Sequence, residues 1–514
     1  MSKRKLPLEP MHGASLGVAA IGLSLASFMQ LLDQTIANVS IPTIAGNLGV
    51  TPQQGTWVVT SFAVSTAISL PLTGWLSQRL GQVRLLRLST LLFLMASMLC
   101  GLSTSLEMLV GARIFQGFVA GPMMPLSQAM LLAIYPPERR VQALTLWAAV
   151  TIVAPIFGPL IGGWISDHWG WPWIFLINVP IGLLAAAISL RVFKGRETPR
   201  VQAPIDVTGL VLLALWVGAM QIMLDIGAEE SWFDSGRIVA LAVVAAVGFC
   251  YFLVWELTEK HPVVDLRMFA RRNFLVGVSA SSLGYSIFFG ASLLVPLWLQ
   301  TQMGYTAAWA GLAAAPVGVF PVLLSRWVSR WLTNTDPRIF ATAAFLALAG
   351  ALFMRAGFTT QSDFAAVVNA QLVTSLGIAF FMVPLQSISL SGLQGHELAA
   401  AAGLSSFVRV CCGSFGASVA TTLWAQREAV HHTHLSEAVS TWGPNATEAI
   451  GRLTERGMAD PQAYSLIERM VSNQSYTLGA IDYFWVAGWS LIVLAFIIWF
   501  ARPPFSAGGA PVAE

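Results

Sequence analysis

The chain has 514 residues, of which 56 % are hydrophobic and 10 % charged, and its mean hydropathy is +0.69. A water-soluble domain carries about 25 % charged residues, so the composition excludes one and reads as an all-α polytopic membrane protein. The net charge of +3 is too small to point to nucleic acid, and no G-x-x-x-x-G-K-[ST] phosphate loop is present to hold ATP.

The first apolar run, Ser15 to Ala45, is long enough to cross a bilayer, which takes roughly 20 such residues. It follows a basic M-S-K-R-K start, but it is too long for a signal-peptide core and lacks a clear cleavage site. An uncleaved first span with a cytoplasmic N-terminus is expected. Asp33 interrupts the run. An acid inside a span costs about 2.5–3.5 kcal/mol on insertion scales. Two readings fit it: a helix-end acid that reaches the far interface, or a buried carboxylate that binds and releases a proton or cation.

Further apolar runs follow at 55–77, 85–103, 107–134, 140–165, 172–193, 206–225, 236–257, 273–299, 305–328, 338–356, 363–391, 398–424 and 479–500, making about fourteen spans. The loop after the second span reads G-W-L-S-Q-R-L-G-Q-V-R, with Gly74, Gln78, Arg79, Gly81 and Arg84. Gly81 suits a sharp turn, and the arginines suit a positively charged cytoplasmic loop. Arg113 lies inside the fourth span and Arg409 inside the thirteenth. Charges at such depth face the bundle interior, pairing with one another or lining a pathway. For Arg113 the choice is between a structural ion pair and coupling to Asp33. For Arg409 it is between structure and substrate.

The fifth run contains A-P-I-F-G-P-L-I-G-G, with Pro155, Gly158, Pro159, Gly162 and Gly163. The glycines permit close helix approach and the prolines remove backbone donors. Gly413, Gly416 and Ala417 echo the pattern weakly in the thirteenth span, as suits a repeat-built transporter. Asp225, near the outer end of the seventh run, reads as an interfacial acid rather than a carrier. The polar stretch 425–477 reads as a segment outside the membrane with two short helices, near 446–456 and 461–474, from the start signals Asn445 to Glu448 and Asp460-Pro461. His431, His432 and His434 in it lack the Cys or carboxylate spacing of a metal site. Cys100, Cys250, Cys411 and Cys412 fall in apolar runs, so no disulfide is expected. Lys and Arg concentrate in alternate loops, around 79–87, 191–200, 260–272 and 326–338, while 38–55, 166–171 and 300–304 have none. By the positive-inside rule both termini are cytoplasmic.

Four segments together resemble the major facilitator superfamily, and within it the fourteen-span drug:proton antiporters of the EmrB/QacA type. They are L-L-D-Q-T-I-A-N-V-S-I-P around Asp33, the Gly74–Leu86 loop, the R-x-x-Q-G of Arg113 to Gly117, and the A-P-x-x-G-P-x-x-G-G of the fifth run. The resemblance extends to 173–182, 262–269 and 304–312 and spans nearly the whole chain. It departs at Gln78, where the family carries an Asp; a hydrogen bond would then stand in for that acid.

The resemblance implies two six-helix halves, residues 1–200 and 261–514, flanking two inserted helices at 201–260. It implies proton-driven export of lipophilic drugs across a bacterial inner membrane, with no cofactor beyond the proton gradient and no enzymatic activity. It assigns Asp33 and Arg113 to proton coupling and the Pro155–Gly163 motif to the interhalf hinge. A periplasmic adaptor and an outer-membrane channel are the expected partners. Aromatic and thioether side chains suited to a cavity for varied apolar substrates are Phe28, Met29, Trp57, Phe62, Trp147, Tyr285, Phe288, Trp298 and Phe381, together with Arg409. The competing readings are a dedicated exporter of one amphiphile (fatty acid, bile salt or siderophore) and a non-transporting membrane scaffold; an importer is argued against by the antiporter signature.

Overall fold

The computed structural model describes residues 10–136, 154, 157–200, 204, 206–227, 229–260, 262–332, 335–393, 396–439, 444–456 and 458–505. Trp147, Pro155 and most of the fifth apolar run lie outside them. Every regular element among the described residues is helical. The principal helices are α1 (Gly13–Ile36), α2 (Trp57–Ser69), α3 (Gln82–Gly101), α4 (Leu106–Ala120), α5 (Asn178–Val192), α6 (Val207–Ile226), α7 (Gly236–Thr258), α8 (Arg272–Thr301), α9 (Ala307–Ala314), α10 (Pro337–Ala356), α11 (Phe364–Ala379), α12 (His396–Ala438), α13 (Pro444–Glu455) and α14 (Asp460–Ile497). Among the described residues, twelve helical stretches are long and apolar enough to cross a membrane, and a bent pair, Pro52–Ser69 with Leu72–Leu80, makes up to thirteen. They coincide with thirteen of the fourteen apolar runs. The bent pair turns by 59° at Pro71, whose missing N–H breaks the backbone ladder.

Polar side chains start the spans where the loops end. Ser105, Asp206, Thr306 and Asp363 each accept a backbone N–H in the first turn of the helix that follows, which is worth about 1 kcal/mol per cap. The packing surfaces are then apolar. One buried cluster, with Leu23, Met29, Phe93 and Leu126, draws only on helices before α6. Another runs from Val64 and Ala67 of α2 through Leu213 and Val217 of α6 and Phe252 of α7 to Phe274, Leu404 and Phe407. The hairpin α6–α7 therefore packs against both the early and the late helices.

The segments 38–55, 166–171 and 300–306, the first of them largely helical as a continuation of the first span, share one end of the bundle, here called the far end. Gln300 Nε2 donates to Val39 O at 2.8 Å, Ala308 N donates to Asp167 Oδ2 at 2.8 Å, and the hydroxyls of Ser166 and Ser40 meet at 2.6 Å. The opposite end carries the arginine-rich loops.

The segment 425–477 differs from the expected pair of short helices. α12 runs unbroken for 43 residues to Ala438, and α14 begins at Asp460 and continues for 38 residues into the last span. Only α13 stands as a separate short helix. The reason is local: no Gly or Pro occurs between Ala417 and Trp442, or between Gln462 and Leu478, so falling hydropathy ended the apolar run without ending the helix. Arg427 Nε and His431 Nε2 both reach Asp482 Oδ2, at 2.5 and 2.8 Å, and His432 Nε2 lies 3.0 Å from Glu468 Oε1. The histidines thus tie α12 to α14, and no group of metal-ligating side chains occurs among the described residues. All four cysteines are free thiols.

Gly81 does turn the chain sharply, with φ +88°, but the corner is held by a residue the motif does not contain. Glu197 is buried, at 5 % exposure. Its carboxylate accepts the backbone N–H of Val83 at 2.9 Å, of Arg84 at 3.0 Å and of Thr198 at 3.1 Å. It so caps the N-terminus of α3, where a negative charge is favoured. Gln78 is exposed and makes no hydrogen bond among the described residues, so Glu197, and not Gln78, fastens this corner. Arg79 lies over the Trp75 ring at 5.2 Å. Glu197→Ala strips three N–H groups of their acceptor, that of Val83 buried and those of Arg84 and Thr198 part-buried, and is expected to cost about 1–3 kcal/mol. A lowered thermal midpoint in detergent, with Glu197→Gln intermediate, checks this.

Candidate functional site

Asp33 and Arg113 meet. Both are fully buried, and Arg113 Nη1 lies 2.5 Å from Asp33 Oδ2. The sequence brings them together because Asp33 falls on the inner face of α1, while α4 packs against α2 and presents Arg113 inward. Arg113 Nε donates to Val58 O at 2.9 Å, and its guanidinium lies 4.2 Å from the Phe62 ring centre and 5.3 Å from that of Phe175. A charge taken from water into such a site is tolerable only when paired and hydrogen-bonded, and the surroundings supply this.

Three side chains complete the ring. Gln116, one turn after Arg113, accepts from Arg113 Nη1 at 2.6 Å and donates to Asp33 Oδ1 at 3.1 Å and to Ser97 Oγ at 2.7 Å. Asn178, at the start of α5, donates to Asp33 Oδ1 at 2.6 Å and to Ser97 Oγ at 3.2 Å. Asp33 therefore accepts three donors and gives none, the pattern of an ionised carboxylate. Two atoms of the ring have no partner among the described residues, Arg113 Nη2 and Asn178 Oδ1. One is a spare donor and the other a spare acceptor, so the ring holds hydrogen-bonding capacity that this arrangement does not use. Gln116 and Ser97 and Asn178 were not singled out as site residues in the sequence. The signal for Gln116 was its i,i+3 spacing from Arg113, and for Asn178 a lone amide in the apolar stretch W-I-F-L-I-N-V-P.

The described part of the glycine motif lies between the first span and α9. A Cβ on Gly158 would sit 2.0 Å from Thr35 Oγ1, and one on Gly162 would sit 2.6 Å from Ile36 O. On the other side, a Cβ on Gly163 would sit 2.2 Å from Ala307 O, and one on Gly311 would sit 2.1 Å from Pro159 O. The helix over 157–168 thus closely approaches early and late spans at once, and Thr35, which Gly158 faces, lies two residues from Asp33. Glycine is required here for close approach, not for its backbone freedom.

Arg409 is half-buried, lies 6.0 Å from the Tyr285 ring centre and donates to Ser406 Oγ at 3.3 Å. No carboxylate pairs with it among the described residues. The aromatic candidates divide. Met29, Phe62, Trp298 and Phe381 are buried in packing: Phe62 against Arg113, Trp298 stacked on Phe358 with its N–H on Thr477, and Phe381 edge-on to Phe345. Phe28, Trp57, Tyr285 and Phe288 are half-buried; Tyr285 faces Arg409, and Phe288 lines a small space with Leu348 and Arg355.

Asp225, at the far end of α6, is half-buried and is held by side chains of other helices as well as its own. Its Oδ2 accepts from Thr60 Oγ1 at 3.0 Å, and its Oδ1 accepts from Gln221 Nε2 at 2.8 Å and from the Ser418 hydroxyl.

A bundle of apolar helices, sealed at one end between its early and late members and carrying a buried ion pair at mid-depth, has the build of a membrane transporter. Solved structures share this fold. A crystal structure of the peptide transporter POT in complex with sulfate aligns with a TM-score of 0.64 at 13 % identity, over 96 % of each chain. A crystal structure of a D-xylose-proton symporter aligns with a TM-score of 0.61 at 14 % identity, over 97 % of this chain and 100 % of that one. The profile of the Major Facilitator Superfamily matches residues 23–417, and the chain belongs to that superfamily. Among curated relatives, it is 49 % identical to the multidrug export protein EmrB of Escherichia coli strain K12 over 98 % of both chains. It is 47 % identical to the fatty acid resistance protein FarB of Neisseria gonorrhoeae over 97 % of this chain and 99 % of that one.

Proposed function

We propose that the protein is a proton-coupled antiporter that exports lipophilic drugs and toxic amphiphiles across the bacterial inner membrane, and that it performs no enzymatic chemistry. The observation that carries the reading is the fully buried Asp33–Arg113 pair, set in a ring with one spare donor and one spare acceptor. Asp33 is the group that takes the proton, and Arg113 its positioning partner. On protonation Asp33 loses a charge, Arg113 loses its counter-ion, and Asn178 Oδ1 is at hand as an acceptor. Proton occupancy and the state of the helices around Asp33 are thereby linked. The glycine-lined contacts of Gly158, Gly162 and Gly163 sit beside the same helix and form the hinge and seal between the halves. The far end is the periplasmic one and both termini are cytoplasmic. The proton gradient is the only cofactor.

One charge moving through 100 mV supplies about 2.3 kcal/mol, so a single titrating acid sustains roughly a 50-fold gradient of a neutral substrate. Similarity to EmrB supports a broad lipophilic substrate range, and similarity to FarB supports a second reading in which the physiological cargo is a fatty acid. The test is proton release from inverted vesicles on adding a lipophilic cation or a long-chain fatty acid. Release with both probes supports the broad reading, release with the acid alone the dedicated one, and release with neither overturns antiport.

The extensions of α12 and α14, with α13 across their tips, are the surface offered to a periplasmic adaptor that leads to an outer-membrane channel. Replacing residues 440–458 by a short flexible linker is expected to lower drug resistance in cells at least about tenfold while leaving transport in vesicles unchanged, because the helices entering the membrane stay intact. Equal loss in both assays points to misfolding and removes the docking role.

A further inference from the structure

Asp225 lies at the junction of three groups of helices. Thr60 belongs to α2, Gln221 and Asp225 to α6 of the inserted hairpin, and Ser418 to α12. The network extends by two more bonds: Ser414 Oγ donates to Gln221 Oε1 at 3.0 Å, and Gln221 Nε2 donates to Ser418 Oγ at 2.5 Å. The early and late spans are therefore tied together through one carboxylate carried on a helix that belongs to neither. It accepts three hydrogen bonds, and no cation pairs with it among the described residues.

Asp225 also borders a cavity of about 220 Å³ at the far end, whose other walls include Thr51, Gln53, Thr56, Glu229, Thr421 and Thr422. A polar space of that size holds water, so protons from the far side can reach the carboxylate. The charged groups around it are few. α2 presents none. Glu229, across the cavity, accepts from Gln54 at 3.3 Å. On α12, Arg427 and Glu428 lie more than two turns toward the tip, and Arg409 lies more than two turns the other way.

We propose that Asp225 is a second proton-binding site, separate from Asp33, and that its protonation state governs how tightly α2 and α12 are joined at the far end. The ionised carboxylate collects donors from both sides of the seam and holds it shut. The protonated acid must itself donate a hydrogen bond, so it gives up at least one of these contacts and the seam loosens. A proton arriving from the far side thus favours opening toward that side. The inserted hairpin is then part of the gate and not an accessory to the fold. The proposal does not depend on the coupling role of Asp33.

The test places spin labels at Asn47→Cys and Gln426→Cys, exposed positions on either side of the seam, in a background with Cys100, Cys250, Cys411 and Cys412 replaced by alanine. Distances are measured at about pH 9 and about pH 5, a range wide enough for a perturbed buried carboxylate. In the wild-type site and in Asp33→Asn, the population with separated labels is expected to rise about tenfold on acidification, starting from a minor state. Asp225→Asn, which cannot titrate, is expected to show the same distribution at both pH values. Asp225→Glu is expected to restore the rise with a displaced midpoint, which distinguishes titration from a general loss of packing. A response that persists in Asp225→Asn, or a wild-type site with no response, overturns the proposal. A response lost in Asp33→Asn but kept in Asp225→Asn assigns the switch to Asp33 instead.

Discussion

Asp33→Asn is expected to abolish the substrate gradient that 100 mV sustains, reducing it from roughly 50-fold to none. The magnitude follows from the role proposed for Asp33 as the group that couples proton entry to export. Substrate-dependent proton release from inverted vesicles should vanish with it. The variant also leaves Arg113 buried without its counter-ion, and breaking a buried pair from one side costs about 3–5 kcal/mol, so loss of activity alone would be ambiguous. The double variant Asp33→Asn with Arg113→Gln separates the two effects. Stability should return towards wild type, because neither charge remains, while coupling stays absent. Proton release that survives in Asp33→Asn moves the coupling acid elsewhere. A non-transporting scaffold would be indifferent to the change altogether.

Gly163→Ala is expected to have the second-largest effect, on the position of the conformational equilibrium. Its Cβ would stand 2.2 Å from Ala307 O and within 2.8 Å of the Ala308 backbone. Backbone atoms cannot rotate away as a side chain can, so the closed seam is overpacked by about 1–3 kcal/mol. At about 1.4 kcal/mol per decade, the far-end-closed population falls roughly 5- to 150-fold against the open one. The readout is the labelling rate of a cysteine at Ser166, whose hydroxyl touches Ser40 inside the same seam, by an impermeant maleimide. The rate should rise at least about fivefold in Gly163→Ala. Gly111→Ala is the control, since a Cβ there meets nothing within 4 Å. Equal labelling in the two backgrounds would show that the seam does not depend on the close approach at Gly163.

The sequence spoke most clearly where hydrophobicity and charge act locally. A lone acid and a lone arginine in apolar runs announced themselves because each is expensive there, and expense of that kind demands a partner. The thirteen spans were legible for the same reason. Three features were not. Glu197 sits in a loop whose charges resemble any interfacial loop, and only the turn at Gly81 brings its carboxylate onto the N–H groups of α3. Asp225 stands near the end of an apolar run, where an acid ordinarily reaches water, and its true neighbours come from residues 165 positions earlier and 193 later. The segment 425–477 was read from its polarity, which ends a span but not a helix. Four of the proposed cavity residues, Met29, Phe62, Trp298 and Phe381, are occupied in packing. An aromatic side chain in a membrane helix carries no sign in its sequence of whether it faces a cavity or a neighbour.

The length of α12 gives the molecule a lever. At 1.5 Å per residue, its 43 residues extend about 64 Å, roughly twice the thickness of the hydrocarbon core. With α14 bound beside it through Asp482 and Glu468, the projecting part is a stiff rod about 30 Å long and not a tethered loop. A tilt of about 10° at the seam moves the end of such a rod by about 5 Å, one helical turn. In the proposed cycle, a partner resting on α13 would be displaced by that amount whenever the spans rock, so the rod would deliver the cycle as mechanical motion well outside the membrane.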